Sequence, residues 1–227
     1  MIHIIYMAAG NSRRFGNANK LLQDWNGKSL YLHTFEKLLR IRAKDPQNIS
    51  LTVVTQYPEI YQEVKEYSGV HAVFCEESRL GVSYTIKAGI RAVQEAYTPE
   101  RKECCFAEEE ISSETETEKK KSWDYLMFTV ADQPNLSEKS IEALIRAAVM
   151  QDRSAKQSSF SLRCGEQVGN PCMFRADLIP ELMQLEGDKG GRSVLKKHEC
   201  CYVEIENEEE FSDIDTEEQI KKNSTVS

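Results

Sequence analysis

Histidine is scarce in this chain. His3, His33, His71 and His198 are the only four in 227 residues, and none stands beside a candidate motif. No serine or cysteine has an evident activating partner, so covalent catalysis through a side chain is not indicated. Basic excess is missing too: a formal charge of -8 disfavours nucleic acid, whose phosphate lattice demands a positive face. Nowhere does an apolar run last long enough to cross a bilayer, and the first such run lacks a basic leader and breaks at Gly10-Asn11. The expectation is a cytoplasmic protein that engages neither nucleic acid nor membrane. Seven cysteines are present, but Cys104-Cys105 and Cys200-Cys201 are adjacent pairs, and no C-x-x-C has a matching second half. Reduced thiols are expected, with Cys75, Cys164 and Cys172 as small buried residues.

Two common phosphate-binding motifs are also missing. Gly27-Lys28-Ser29 could end a P-loop, but Leu22 stands where that loop needs its first glycine, which leaves Lys28 as a turn residue. Gly10 does not open a dinucleotide fingerprint, because Ser12 and Phe15 occupy positions where glycine would admit a pyrophosphate and close helix packing.

What is present is a strand that empties into small residues and then cations. Ile2 to Tyr6 is followed by Met7-Ala8-Ala9-Gly10-Asn11-Ser12-Arg13-Arg14-Phe15-Gly16 and Lys20. Small residues let backbone amides approach an anion, and the cations that follow neutralise phosphate oxygens. That combination points to a nucleoside triphosphate.

Strand patterns at 2–6, 51–55, 70–74 and 125–130 alternate with helical patterns at 29–40, 57–67 and 82–96. Such alternation predicts an α/β fold, a mostly parallel sheet covered on both faces, with ligands beyond the carboxyl ends of its strands. Residues 1–227 read as one domain. From Thr98 to Ser122 the alternation is broken by a Glu-rich then Lys-rich stretch, read as a solvated, mobile insertion or a docking arm. Later patterns suggest helices at 136–148, 176–185 and 192–197 and strands at 155–162 and 201–205.

Asp132 ends the apolar run Leu126 to Ala131 and precedes Gln133-Pro134. A hard oxygen ligand at a strand's carboxyl end suits Mg2+, which takes one or two carboxylates and completes its shell with water and phosphate. Helix capping is the alternative, but Ser137 before Glu138 fills that role.

The residues now carry a resemblance. Ala8-Ala9-Gly10, Ser12, Arg14-Phe15-Gly16 and Asn19-Lys20-Leu21-Leu22 resemble the start of the small-molecule nucleotidyltransferases of the MobA-like NTP transferase family, and in particular the molybdenum cofactor cytidylyltransferases. Leu80-Gly81-Val82-Ser83, Ala131-Asp132-Gln133-Pro134, Gly169-Asn170-Pro171, Gly187-Asp188-Lys189-Gly190-Gly191-Arg192 and Asp213-Ile214-Asp215-Thr216 follow in order. The resemblance implies a three-layer α/β/α, Rossmann-like sheet of the nucleotide-diphospho-sugar transferase type. It implies that Arg14 and Lys20 hold the triphosphate, Arg13 faces solvent, and Ala8, Ala9, Gly10, Gly81 and Ser83 bind the nucleotide. Asp132 and Asp215 would hold Mg2+, with Asp213 as the competing choice and an N-cap as the alternative for Asp215. Asn170, Asp188, Lys189 and Arg192 would face the acceptor, turn chemistry being the alternative for their segments.

The implied reaction moves CMP from CTP to the terminal phosphate of molybdenum-bound molybdopterin and releases pyrophosphate, in the service of a molybdenum hydroxylase. Ala9 tilts the nucleotide toward CTP, since guanylyl relatives tend to carry Ala-Gly-Gly. A sugar or polyol phosphate acceptor and a non-catalytic escort of the finished cofactor remain alternatives. Relatives often have His at the position of Asn170 and Pro at that of Glu217.

Overall fold

Strand β1 (Ile2–Met7) is buried along nearly its whole length because it lies mid-sheet with a parallel neighbour on each side. This computed structural model describes residues 1–12, 15, 19–97, 125–151 and 156–223, without the side chains of 97 and 221–223. After β1 come a small hairpin, β2 (Asp24–Trp25) and β3 (Lys28–Ser29), then α1 (Leu30–Lys44), β4 (Ile49–Thr55) and α2 (Pro58–Val64). Next are β5 (Val70–Phe74), α3 (Val82–Tyr97), β6 (Tyr125–Val130) and α4 (Glu138–Met150). The last part holds β7 (Ser159–Cys164), β8 (Gln167–Arg175), α5 (Ile179–Leu182), α6 (Arg192–Leu195), β9 (Cys200–Glu204) and α7 (Glu217–Asn223).

Seven strands form one sheet in the order β5-β4-β1-β6-β8-β7-β9. Among them β8 alone runs against the rest, pairing antiparallel with both β6 and β7. The sheet is therefore mostly parallel, with helices on both faces. Alternation along β1 divides the core: Ile4 and Tyr6 pack with Phe35 and Leu38 of α1 and Leu144 of α4, while Ile5 packs with Ile86 and Ile90 of α3. Helix α1 buries Leu30, Tyr31, Thr34, Phe35, Leu38 and Ile41, the spacing of a single inward stripe.

The chain runs outward from β1 to β4 and β5 and then crosses back to β6 on the other side of β1. The crevice between β1 and β6 is thus the switch point of the sheet, where ligands of such folds bind. Both the loop after β1 and Asp132 after β6 emerge there.

Several expected elements differ. Gly169-Asn170-Pro171 is not a turn but lies within β8, where β7 steps from Leu162 to Ser161 as β8 passes from Gly169 to Cys172. Asn170 and Pro171 are the surplus of that bulge, which accommodates a residue with no N–H to give. The expected helix 176–185 is a 3-10 turn, Ala176–Leu178, followed by the short α5. Lys28 belongs to the hairpin after an Asn26-Gly27 turn and pairs with Glu36. The proposed insertion at 98–122 lies outside the described residues, as do Arg13 and Arg14. Among the described residues no helix is long and apolar enough to cross a membrane.

Candidate nucleotide and metal site

Lys20 opens a 3-10 turn, Lys20–Leu22, whose start is capped by the Asn19 side chain. The loop before it is tied at several points. Ser12, at φ 48°, accepts the Lys20 amide on its hydroxyl at 3.1 Å, and Phe15, 2% exposed, anchors the loop in the core. Gln56 Nε2 donates to the Ala9 carbonyl at 2.7 Å and to Asn11 Oδ1 at 3.0 Å. The Tyr57 hydroxyl donates to the Gly10 carbonyl, and Asn11 Nδ2 reaches the Arg79 carbonyl at 3.0 Å. These bonds hold Ala9, Gly10 and Asn11 in place at the start of the loop.

Lys20 Nζ then bridges two acids, 2.8 Å from Asp132 Oδ2 and 2.9 Å from Asp215 Oδ1. Burial by itself would push the Lys20 ammonium down, but the charge of Asp132 and the hydrogen bonds it donates to both carboxylates hold it above its ordinary value. Asp215 comes from the far end of the chain. Beyond β9 the backbone returns along the carboxyl edge of the sheet, where Phe211 packs over Gly169; a Cβ there would lie 2.2 Å from the Phe211 ring. Gln133, buried after Asp132, donates to the Phe211 carbonyl at 3.3 Å and to Asp213 Oδ1 at 2.8 Å. Asp213 thereby takes Gln133 as its hydrogen-bond donor, where Asp215 takes Lys20. The Asp213 carboxyl is held above the usual range by burial and then by the charge of Asp132.

The capping alternative for Asp215 is overturned. Thr216 is the cap of α7: its hydroxyl accepts the Gln219 amide at 3.3 Å, while Gln219 Oε1 accepts the Thr216 amide at 2.9 Å. This is a capping box, and a Thr-x-x-Gln spacing visible in the sequence could have found it. The other cap, Ser137, stands as expected, accepting the Ser140 amide at 3.0 Å.

Two adjoining clefts, of about 200 and 330 Å³, share Gly10, Asn11, Asp132 and Asp188 on their walls. The first also takes in Ala9, Ser78 and Thr85, and the second Lys20 and Asp215. Of the expected nucleotide residues, Ala8 is fully buried beneath the loop. Gly81 and Ser83 are off the walls, which corrects the expectation of a free helix end. The Ser83 amide donates to the Gly187 carbonyl at 3.0 Å, and Gly81, at φ 144°, lies against the same peptide. The Ser83 hydroxyl is buried with no partner among the described residues. On the acceptor side Asp188 lines both clefts, but Asn170, Lys189 and Arg192 do not. Arg192 instead donates to the Val168 carbonyl.

The donor set suits a hard cation. Two carboxylates already share one positive group, and no cluster of three or more His, Cys, Asp or Glu that could hold a metal occurs among the described residues. Two carboxylates with room for water and phosphate match magnesium-type coordination rather than zinc. Sequence reasoning missed Gln56, Tyr57 and Gln133, which bear no charge and act only by holding neighbours.

Residues 4–201 match the MobA-like NTP transferase domain. The chain is similar to the purine catabolism protein PucB of Bacillus subtilis, 24% identical over 226 residues, covering 95% of this chain and 92% of that protein. Among solved structures, Rv0371c of Mycobacterium tuberculosis in complex with manganese superposes with a TM-score of 0.65 at 16% identity, covering 100% of this chain and 99% of that one. A CMP:2-keto-3-deoxy-manno-octonic acid synthetase complexed with CTP gives a TM-score of 0.64 at 14% identity, covering 99% and 98%. These solved structures share the fold. By the match that spans most of its length, the chain belongs to the family of MobA-like NTP transferase domains.

Proposed function

We propose that this nucleotidyltransferase moves CMP from CTP to the terminal phosphate of molybdenum-bound molybdopterin and releases pyrophosphate, with Mg2+ held by Asp132 and Asp215. The single observation that carries the reading is the Lys20 bridge between these two acids at the switch point. In this reaction an acceptor phosphate oxygen bonds to the α-phosphorus as the bond from that phosphorus to the bridging oxygen of pyrophosphate breaks. The acceptor oxygen is already ionised near neutral pH, its second pKa being about 6, so no general base is required. None of the four histidines lines the two clefts.

The bound metal supplies charge neutralisation at the transferring and departing phosphates. The remaining work belongs to the chain. Lys20, joined in this reading by Arg14, balances the charge of the triphosphate. The loop held by Gln56 and Tyr57 keeps the Ala9 and Gly10 backbone in one shape, so binding does not have to order it. Asp188, which lines both clefts, is assigned in this reading to the place where acceptor and nucleotide would meet. Ala9 supports cytosine over guanine, and the fold neighbour holding CTP is in line with that choice. The manganese complex of another neighbour is in line with a divalent cation. Service to a molybdenum hydroxylase in the cytoplasm belongs to the same proposal. The neighbour named for a sugar-acid synthetase favours a second reading, with a sugar or polyol phosphate as acceptor.

Pyrophosphate release with CTP, Mg2+ and a panel of acceptors tests the proposal. Release with the molybdopterin acceptor alone is the expected result. Release with a sugar or polyol phosphate transfers the chemistry to the second reading, and release with none favours a non-catalytic escort. Thermal shift with CTP, GTP, UTP and ATP checks the base, since only a nucleotide that binds the folded form stabilises it. A preference for GTP overturns the role given to Ala9.

A further inference from the structure

A lysine assigned to phosphate is here spending its charge elsewhere. Two of the three N–H groups of Lys20 are committed to Asp132 and Asp215, and the side chain is 7% exposed. An ammonium in that position performs part of the duty of a divalent cation: it offsets the repulsion of two carboxylates and fixes their spacing. Among the described residues two further acids stand near, Asp188 on the same wall and Asp213 tied to Gln133. With Lys20 in place, an arriving metal ion meets a positive group already seated between its ligands.

We infer that Lys20 is a resident counter-ion that reserves the metal position and surrenders it only to metal accompanied by nucleotide. This rests on the reading of Asp132 and Asp215 as metal ligands. The triphosphate brings enough negative charge for both cations, so Lys20 turns from the carboxylates to the phosphates as the carboxylates take the metal. Nucleotide therefore strengthens metal binding and metal strengthens nucleotide binding, as reciprocity demands. A free divalent ion competes poorly for the same acids. The arrangement keeps the site from filling with metal in a form unable to accept the lysine-assisted triphosphate.

Direct titration of the full chain with Mn2+, followed by loss of the free-ion electron paramagnetic resonance signal, tests this without any turnover. Wild type, Lys20→Met and Asp132→Asn are compared, first with Mn2+ alone and then with a non-hydrolysable CTP analogue present. Circular dichroism confirms folding, and Lys20→Gln replaces the methionine variant should that one not fold. Mn2+ alone is expected to bind Lys20→Met about tenfold or more tightly than wild type, a size typical of coupled sites. With the analogue present the order reverses, and wild type binds Mn2+ more tightly. Equal or weaker binding of Mn2+ alone by Lys20→Met, with Asp132→Asn still losing it, overturns the counter-ion role while leaving the metal ligands standing. Undiminished binding by Asp132→Asn overturns both.

Discussion

The Ile214 amide donates to the Asp132 carbonyl at 2.9 Å, stitching the C-terminal segment to the loop that follows β6. Ile214 is 3% exposed, and the acids on either side of it take separate paths. Asp213 meets Gln133 and Asp215 meets Lys20, which divides two carboxylates that the sequence leaves in competition.

Activity in paired variants separates them. Asp215→Asn, like Asp132→Ala, should lower turnover roughly a hundredfold or more, as for loss of one preorganised electrostatic group. Asp213→Asn keeps an oxygen for Gln133 and should stay within a few-fold of wild type. Steady-state assays at saturating Mg2+ read the difference, and a larger loss in Asp213→Asn would reverse the assignment.

Gly81→Ala probes the junction between the start of α3 and the Gly187 loop. A Cβ at Gly81 would lie 2.3 Å from the Gly187 oxygen and 2.4 Å from its carbonyl carbon, on a backbone at φ 144° that side chains avoid. The two segments must separate, breaking the Ser83 to Gly187 hydrogen bond and shifting Asp188. A loss of about 1–3 kcal/mol in urea unfolding is expected, the usual cost of overpacking. Nucleotide affinity should weaken in the same variant.

His33 makes stability depend on pH. Burial lowers its pKa below the ordinary 6.5, helped by Lys28 and Lys37 and resisted by the Trp25 carbonyl that its Nε2–H contacts. The unfolded chain then binds a proton that the folded chain resists. The stabilising contribution is complete above about 6.5 and is lost as pH falls toward the folded value. Urea midpoints between pH 7.5 and pH 5 should decline less steeply in His33→Gln than in wild type. Parallel slopes would remove His33 as the cause.

Burial pushes the Cys172 thiol up to about 12, so almost no thiolate exists at neutral pH. Iodoacetamide at pH 8 should leave Cys172 unmodified in the folded protein while labelling the partly exposed Cys164 and Cys201. Peptide mass spectrometry before and after denaturation makes the comparison.

Much of the fold is legible in the sequence because its central strands are continuous apolar runs. Tyr125–Val130 falls where the pattern predicts and β1 gains one residue, while Val70–Phe74, at the sheet's edge, is also found at its predicted place. β8 escapes such reading: Gly169, Asn170 and Pro171 interrupt it with turn residues, and its place beside β6 is fixed by pairing with distant strands. At the candidate site the charged members are visible, since Lys20 and Asp132 each follow a strand. Their supports are not. Gln56, Tyr57 and Gln133 are ordinary polar residues until tertiary packing brings them against the Ala9 and Gly10 carbonyls or Asp213. Gly81 and Ser83 show the opposite failure, because a helix start that looks open in sequence is covered by a loop about a hundred residues later.

Lys20 waits for a partner 195 positions further along the chain. On the ribosome, the nucleotide loop and Asp132 leave the exit tunnel well before Asp215 is made. Asp215 therefore joins Lys20 and Asp132 only once the chain beyond β9 has folded back along the carboxyl edge of the sheet and the Ile214 amide has met the Asp132 carbonyl.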